Sequence, residues 1–368
     1  MTPLLWRTFG ACAVVAVTAA GCGFSPSDGT RTSSQREWEI QAAEGTFGVI
    51  SNVVRCADTL FLADVHNQRI RRYDLANRKL LGDIDGGRVA LPLAMTGDCG
   101  RQELYVMSPA PLRGGGGPVV QAFEMSSGVL RREYPLPNDF LPRPGGRAEA
   151  AVLVVAGLWA RADHRPFLET SVDDFYETER LGLTLALESG AIEPLLLPYE
   201  TRCIGAGQCP EVRLDSVVTP RGVMRIASLP TSTTVGVYRD NGPPRIVSVT
   251  SPLFVRSGET LEVTTPSEAR VRWTGRNSII DGVFAFQNVM AVVHVQRTIG
   301  PEWQFTSPIP TTAFMNTYAW DGTPRQRDVR LPGVAVGRDD GSIYAIDYGP
   351  EGPRQGVKQL RVFQVPVS

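Results

Sequence analysis

The chain of 368 residues carries 37 Lys+Arg against 38 Asp+Glu, a formal net charge of -1. That balance excludes a small disulfide-stapled mini-protein, a charged disordered tail and a strongly basic nucleic-acid binder. Hydrophobic residues make up 42% and charged residues 20%, with 37 Gly and 28 Pro, so a large core can form while long helices are interrupted too often; the expectation is an all-β chain of many short strands.

At the N-terminus one charge, Arg7, precedes a largely apolar stretch over residues 9–20 that runs into Ala19-Ala20-Gly21-Cys22. Those 12 residues fall short of the roughly 20 that cross a hydrocarbon core, so residues 1–21 read as a signal peptide rather than a spanning helix. Small residues before a cysteine let an extended chain enter a peptidase cleft, and the Cys22 thiol can take a diacylglyceryl group before cleavage. The pattern resembles the bacterial lipoprotein lipobox. It implies lipidation at Cys22 and a lipid-anchored place in the cell envelope, facing the periplasm or the cell surface, and Gly23 after the lipid cysteine favours the outer membrane. Residues 22–35, rich in Ser, Thr and Gly, bury too little apolar surface to fold and are predicted to form a flexible tether. The longest later apolar run, residues 151–160, is too short to span, so membrane contact is expected through the lipid anchor only.

The cysteines agree with export. Cys12 leaves with the signal and Cys22 would carry lipid, which leaves Cys56, Cys99, Cys203 and Cys209, an even number suited to an oxidising compartment. Three pairings are open. The short, Gly-bearing loop from Cys203 to Cys209 closes easily on itself, leaving Cys56 with Cys99; unpaired buried thiols are the alternative. Zinc is disfavoured because no C-x-x-C pair with a nearby His offers tetrahedral ligands.

From residue 50 a unit recurs: an apolar strand, a polar turn, an alternating strand, a second turn and a third strand. Residues 60–64 are a buried strand, residues 69–74 an alternating one and residues 79–84 an outer one. The first strand returns as Leu104-Tyr105-Val106-Met107, Val152-Leu153-Val154-Val155, Val223-Met224-Arg225-Ile226, Val289-Met290-Ala291-Val292 and Ile343-Tyr344-Ala345-Ile346. The spacing between copies is too loose for a strictly stacked solenoid and fits propeller blades that carry loop insertions. Ser126-Ser127-Gly128 and Asp240-Asn241-Gly242 read as hairpin corners.

The segment Leu62-Ala63-Asp64-Val65-His66-Asn67-Gln68-Arg69-Ile70 resembles the NHL repeat, and the ending from Gly333 to Phe363 resembles the last blade of exported six-bladed propeller lipoproteins. The resemblance implies a six-bladed β-propeller over residues 36–368, in which residues 37–40 pair with residues 360–365 to close the ring. Within it Asp64, Asn67 and Arg69 are expected to tie a turn through side-chain-to-backbone hydrogen bonds. A bond between Cys56 and Cys99 would staple neighbouring blades.

Side chains that could carry chemistry are few. Measured from Leu60, Val152 and Val289, the histidines His66, His164 and His294 stand 6, 12 and 5 residues on, which does not bring them to one radius for zinc. Glu169, Asp173, Asp174, Glu177 and Glu179 form a carboxylate cluster read as an exposed acidic insertion, since neither Asp-x-Asp spacing nor a Gly turn suggests calcium. Asp339-Asp340-Gly341 reads as a hairpin corner, and Gly114 to Gly117 as a loop rather than a phosphate cradle. Nucleophile elbows, P-loops and dinucleotide fingerprints are missing. Dispersed arginines argue against a nucleic-acid partner.

The leading expectation is a non-catalytic scaffold without a cofactor that binds a protein, peptide or glycan of the envelope. The contacts are placed in inserts around residues 163–180, 199–213 and 243–274, with Phe167, Tyr176, Phe254 and Trp273 as anchors. The alternative is a lactonase- or lyase-type hydrolase that uses a divalent metal, such as calcium, in the channel.

Overall fold

The computed structural model describes residues 35–42, 46–84, 92, 94–108, 119–135, 152–160, 166–173, 181–186, 189, 191–196, 213–228, 232–240, 242–255, 267–299, 310–349 and 356–367. Among them β1 (Arg36–Gln41) precedes a sheet of β2 (Ile50–Cys56), β3 (Thr59–Asp64), β4 (Arg69–Asp74) and β5 (Lys79–Ile84). A second sheet holds β6 (Ala94–Asp98), β7 (Glu103–Ser108), β8 (Val119–Glu124) and β9 (Leu130–Pro135). The third holds β10 (Val152–Ala160), β11 (Pro166–Asp173), β12 (Leu181–Ala186) and β13 (Ala191–Leu196), and the fourth β14 (Arg213–Thr219), β15 (Gly222–Ser228), β16 (Thr234–Arg239) and β17 (Arg245–Ser248). After helix α1 (Ser267–Arg276) come β18 (Ile279–Ala285), β19 (Val289–Arg297), β20 (Thr311–Ala319) and β21 (Pro324–Arg330). The last sheet joins β22 (Val334–Arg338), β23 (Ser342–Asp347) and β24 (Gln359–Pro366) to β1.

These six four-stranded antiparallel sheets form a closed ring. Their inner strands succeed one another as neighbours: β2 beside β6, then β10, β14, β18 and β22, which lies beside β2 again. The fold is an all-β propeller, in which stacking sheets around an axis covers both apolar faces of each. Closure combines the two ends of the chain, since β1 pairs with β24 with Trp38 opposite Val362 and Ile40 opposite Leu360.

Burial follows position in the sheet. Second strands are covered on both faces, as in β3 and β23, and therefore read as continuous apolar runs. Outer strands such as β9 and β21 show mostly exposed or half-exposed residues. The cores lie between sheets. Val53, Leu60 and Leu62 pack with Tyr344, Ile346 and Val362 across the closure, and Phe61, Ala63 and Ile70 pack with Leu104, Val106 and Phe123 across the next gap.

Three expectations require correction. The apolar strand taken as first in each unit is the second: β2 precedes β3, and its sequence ISNVVRC is buried only at Ile50, Val53 and Cys56 because one side faces the axis. The copy at Val152 to Val155 is not equivalent to the others, since it lies on the inner strand β10, and β11 stands in the second place. The inserts at residues 163–180 and 243–274 are not continuous loops, because they contain β11, β17 and α1.

Four antiparallel strands return the chain to the face where it set out. Contacts between neighbouring sheets fix the common direction: Cys56 and Cys99 meet just at or beyond the ends of β2 and β6, and Gln287 after β18 donates to the Val218 carbonyl near the end of β14. One face of the ring consequently carries the turns within the first and second strand pairs, such as residues 57–58, and those between third and fourth strands, such as residues 75–78. All of these are two to five residues long. At the opposite face lie the strand ends joined by second-to-third turns and by links between sheets; the sequence between those ends runs over 109–118, 136–151, 197–212, 249–278 and 298–310.

Candidate functional site

The space enclosed by the inner strands is crossed by charge. Asp215 stands on β14 and Arg338 on β22, with β18 between them in the ring, yet Arg338 Nε donates to Asp215 Oδ2 at 2.5 Å and Nη2 donates to Oδ1 at 3.2 Å. Only side chains projecting toward the axis can meet over an intervening strand. The Asp215 carboxylate also accepts from the Ala285 amide at 2.8 Å, and Arg338 Nη2 donates to the Ser216 carbonyl at 2.7 Å. The Phe286 ring lies 5.6 Å from the guanidinium. Burial works against the charged form of Arg338, but Asp215 beside it outweighs that effect and raises its pKa further above the usual arginine value, with Asp340 and Asp339 adding to it. A half-buried cation so matched is a strut, already neutralised by the chain itself.

A second, longer pair links Arg213 at the start of β14 with Asp281 of β18, 4.0 Å apart. Asp281 sits where the register of β18 slips, and Ser51 occupies the corresponding slip in β2 and donates to the Pro92 carbonyl at 2.6 Å. Such bulges re-aim inner-strand side chains. At the short-turn rim Arg55 lies 5.9 Å from the Trp38 ring and donates to Gln364, joining the second strand of the chain to the closure.

The motif around Asp64 is a fully satisfied turn. The buried carboxylate accepts from the Gly48 amide, from the Asn67 amide at 3.1 Å and from Asn67 Nδ2 at 2.9 Å, as a structural role for Asp64 and Asn67 requires. Arg69 is not its partner. Arg71, two residues further along β4, reaches Asp64 at 3.3 Å and the Thr46 carbonyl at 2.7 Å, while the exposed Arg69 pairs with Asp83.

The histidines do not converge: His66 is exposed, His164 lies outside the described residues, and His294 is fully buried. Its ring lies 5.2 Å from Phe254 and 5.5 Å from Phe314. Asp328 N donates to Asn316 Oδ1, which orients the amide so that Asn316 Nδ2 donates to His294 Nδ1 at 3.0 Å. The ring proton is thereby placed on Nε2, which is buried without a hydrogen-bond partner. Burial lowers the His294 pKa to about 4, against a small opposing effect of Asp328. This neutral histidine was not singled out by sequence for burial, because its partners come from another strand.

Glu169 and Asp173 belong to β11 rather than to an acidic loop; Asp174, Glu177 and Glu179 lie outside the described residues. Among the described residues no three His, Cys, Asp or Glu side chains form a group that could hold a metal ion. Asp339 and Gly341 form the hairpin corner between β22 and β23, with the Gly341 amide donating to Asp339 Oδ1. Cys56 and Cys99 are bonded, Cα atoms 5.5 Å apart, across the first two sheets. Cys22, Cys203, Cys209 and Tyr176 lie outside the described residues. Phe167 is placed on β11. Trp273 is 6% exposed within the core between the last two sheets, and Phe254 is half-buried against the core of the fourth and fifth. Both pack against core clusters.

Comparison with known proteins finds no family model and no curated sequence that matches. Solved structures match in fold. A member of the DUF4221 family from Bacteroides vulgatus shares 13% identity, with 90% of this chain and 96% of that one covered and a TM-score of 0.61. U3-55K shares 11% identity over 92% of this chain and 100% of that one, and a protein of unknown function from Bacteroides thetaiotaomicron 12% over 92% and 78%, each with a TM-score of 0.51. At these identities the likeness is one of fold alone, and fold does not choose a function.

Proposed function

We propose that this chain is an exported, six-bladed, NHL-like propeller lipoprotein anchored through Cys22, and that it acts as a non-catalytic scaffold binding a protein, peptide or glycan of the envelope through the face that carries the long connections. The observation that supports this reading is the asymmetry of the ring. Every connection on one face is two to five residues long, whereas the other face receives links of up to thirty, residues 249–278. Chain length added to one face of a rigid scaffold is how binding surfaces vary without disturbing the core. The axis adds to the argument. Arg338, a cation beside it, is already held by Asp215, Ser216 and Phe286.

The test replaces residues 136–151 and 197–212 with Gly/Ser stretches of equal length, in the full chain and separately. All three variants should keep the thermal transition of the parent, and the one carrying both replacements should lose the envelope cross-links that the parent makes. Unchanged cross-links in the variant carrying both replacements would refute the assignment of the face.

A further inference from the structure

The same topology fixes where the chain enters the ring. β1 is antiparallel to β24, Arg36 lies opposite Gln364, and β24 ends beside Ser342, the residue that follows the short turn 339–341. Arg36 therefore stands at the rim of the short-turn face, and Gln41, opposite Gln359, toward the other. We infer that the long-connection face is turned away from the membrane that holds the chain, so that its partner is met in trans, from the aqueous side, and is not the anchoring bilayer. This inference rests on the reading of Cys22 as the lipidated residue.

The magnitudes favour it. Between Cys22 and Arg36 the chain is rich in Ser, Thr and Gly, and about 14 residues of such a coil span a root-mean-square distance of roughly 20 Å. Strands of about six residues separate the two faces by about 20 Å. Laying the opposite face on the membrane would require the coil to span at least the thickness of the ring, about 20 Å, which lowers the weight of the flipped arrangement several-fold for a Gaussian chain. The short turns at the entry face offer no comparable obstacle. Asp58, Arg221 and Gln287 are exposed there, and His66 is exposed on the opposite face.

The experiment uses full-length, lipidated protein in phosphatidylethanolamine/phosphatidylglycerol vesicles carrying a trace of rhodamine lipid. A fluorescent amino acid is incorporated in place of Arg221 in one preparation and of His66 in another. The Arg221 probe should lose emission to the lipid acceptor about twofold more than the His66 probe, for a separation of about 20 Å between the faces. Equal loss, or greater loss at His66, overturns the orientation while leaving the scaffold reading intact. Flotation and labelled-palmitate uptake, compared with Cys22→Ala, are read on the same samples. Protein that takes up no palmitate and does not float overturns the anchoring reading, and the orientation with it.

Discussion

Lowering the pH should expose the buried His294 as a specific weakness. The ring is fully buried, sits between Phe254 and Phe314, and has its pKa pushed down to about 4. An unfolded histidine titrates near 6.5. The unfolded chain then binds more protons than the folded one between these values, so stability is intact above about pH 6.5 and falls as the pH drops toward 4. With those two constants the loss at pH 4 comes to about 3 kcal/mol. Asp328, the charged group facing the site, opposes the shift only in part. The comparison is with His294→Leu, which cannot titrate and removes the unpartnered Nε2 donor, at the cost of leaving Asn316 Nδ2 without its acceptor; at pH 7.5 the two should differ by about 1–2 kcal/mol. Urea unfolding at half-unit pH steps gives both curves. The wild-type curve should fall away from that of the variant by about 3 kcal/mol between pH 7 and pH 4, and parallel curves would refute a neutral, desolvated histidine at this place.

Other consequences follow from the same contacts. Arg338→Ala leaves Asp215 beside the axis with its main cation gone and should cost about 3 kcal/mol, whereas Arg338→Met combined with Asp215→Leu should recover most of that loss in thermal unfolding. Replacing Cys56 and Cys99 together by Ala frees a loop with a sequence separation of 43 and should lower stability by about 4 kcal/mol on a chain-entropy argument, read by urea unfolding without reductant. Gly48→Ala would place a methyl 2.4 Å from His66 Cβ and disturb the Asp64 turn. A loss of about 2 kcal/mol is expected, in the range of overpacked sites, and calorimetry reads it.

What the sequence disclosed depended on burial. Second strands such as β3, β7 and β23 are covered on both faces and announce themselves as apolar runs, which is why the repeat could be read in advance. Inner strands stayed hidden because one side faces the axis: Ser51, Asn52 and Arg55 interrupt β2. The apolar sequence of β10 was grouped with the second strands although it is the inner strand of its sheet. Local rules located the turn at Asp64 but chose Arg69, the nearer arginine, over Arg71, which the Thr46 carbonyl helps to hold against the carboxylate. The axial strut had no local signal at all, since Asp215 and Arg338 are separated by 123 residues and only the curvature of the ring brings them together. α1 fell within a stretch read as loop because its mixed sequence SEARVRWTGR carries no broad apolar stripe.

A scaffold of this kind must use one face of the ring. Photo-reactive residues placed singly at His66, Leu253 and Val255 on the long-connection face, and at Asp58, Arg221 and Gln287 on the short-turn face, all exposed, can be irradiated in intact cells and the adducts compared. Adducts confined to the first three positions are the predicted result; adducts arising equally or mainly from the second three would contradict it.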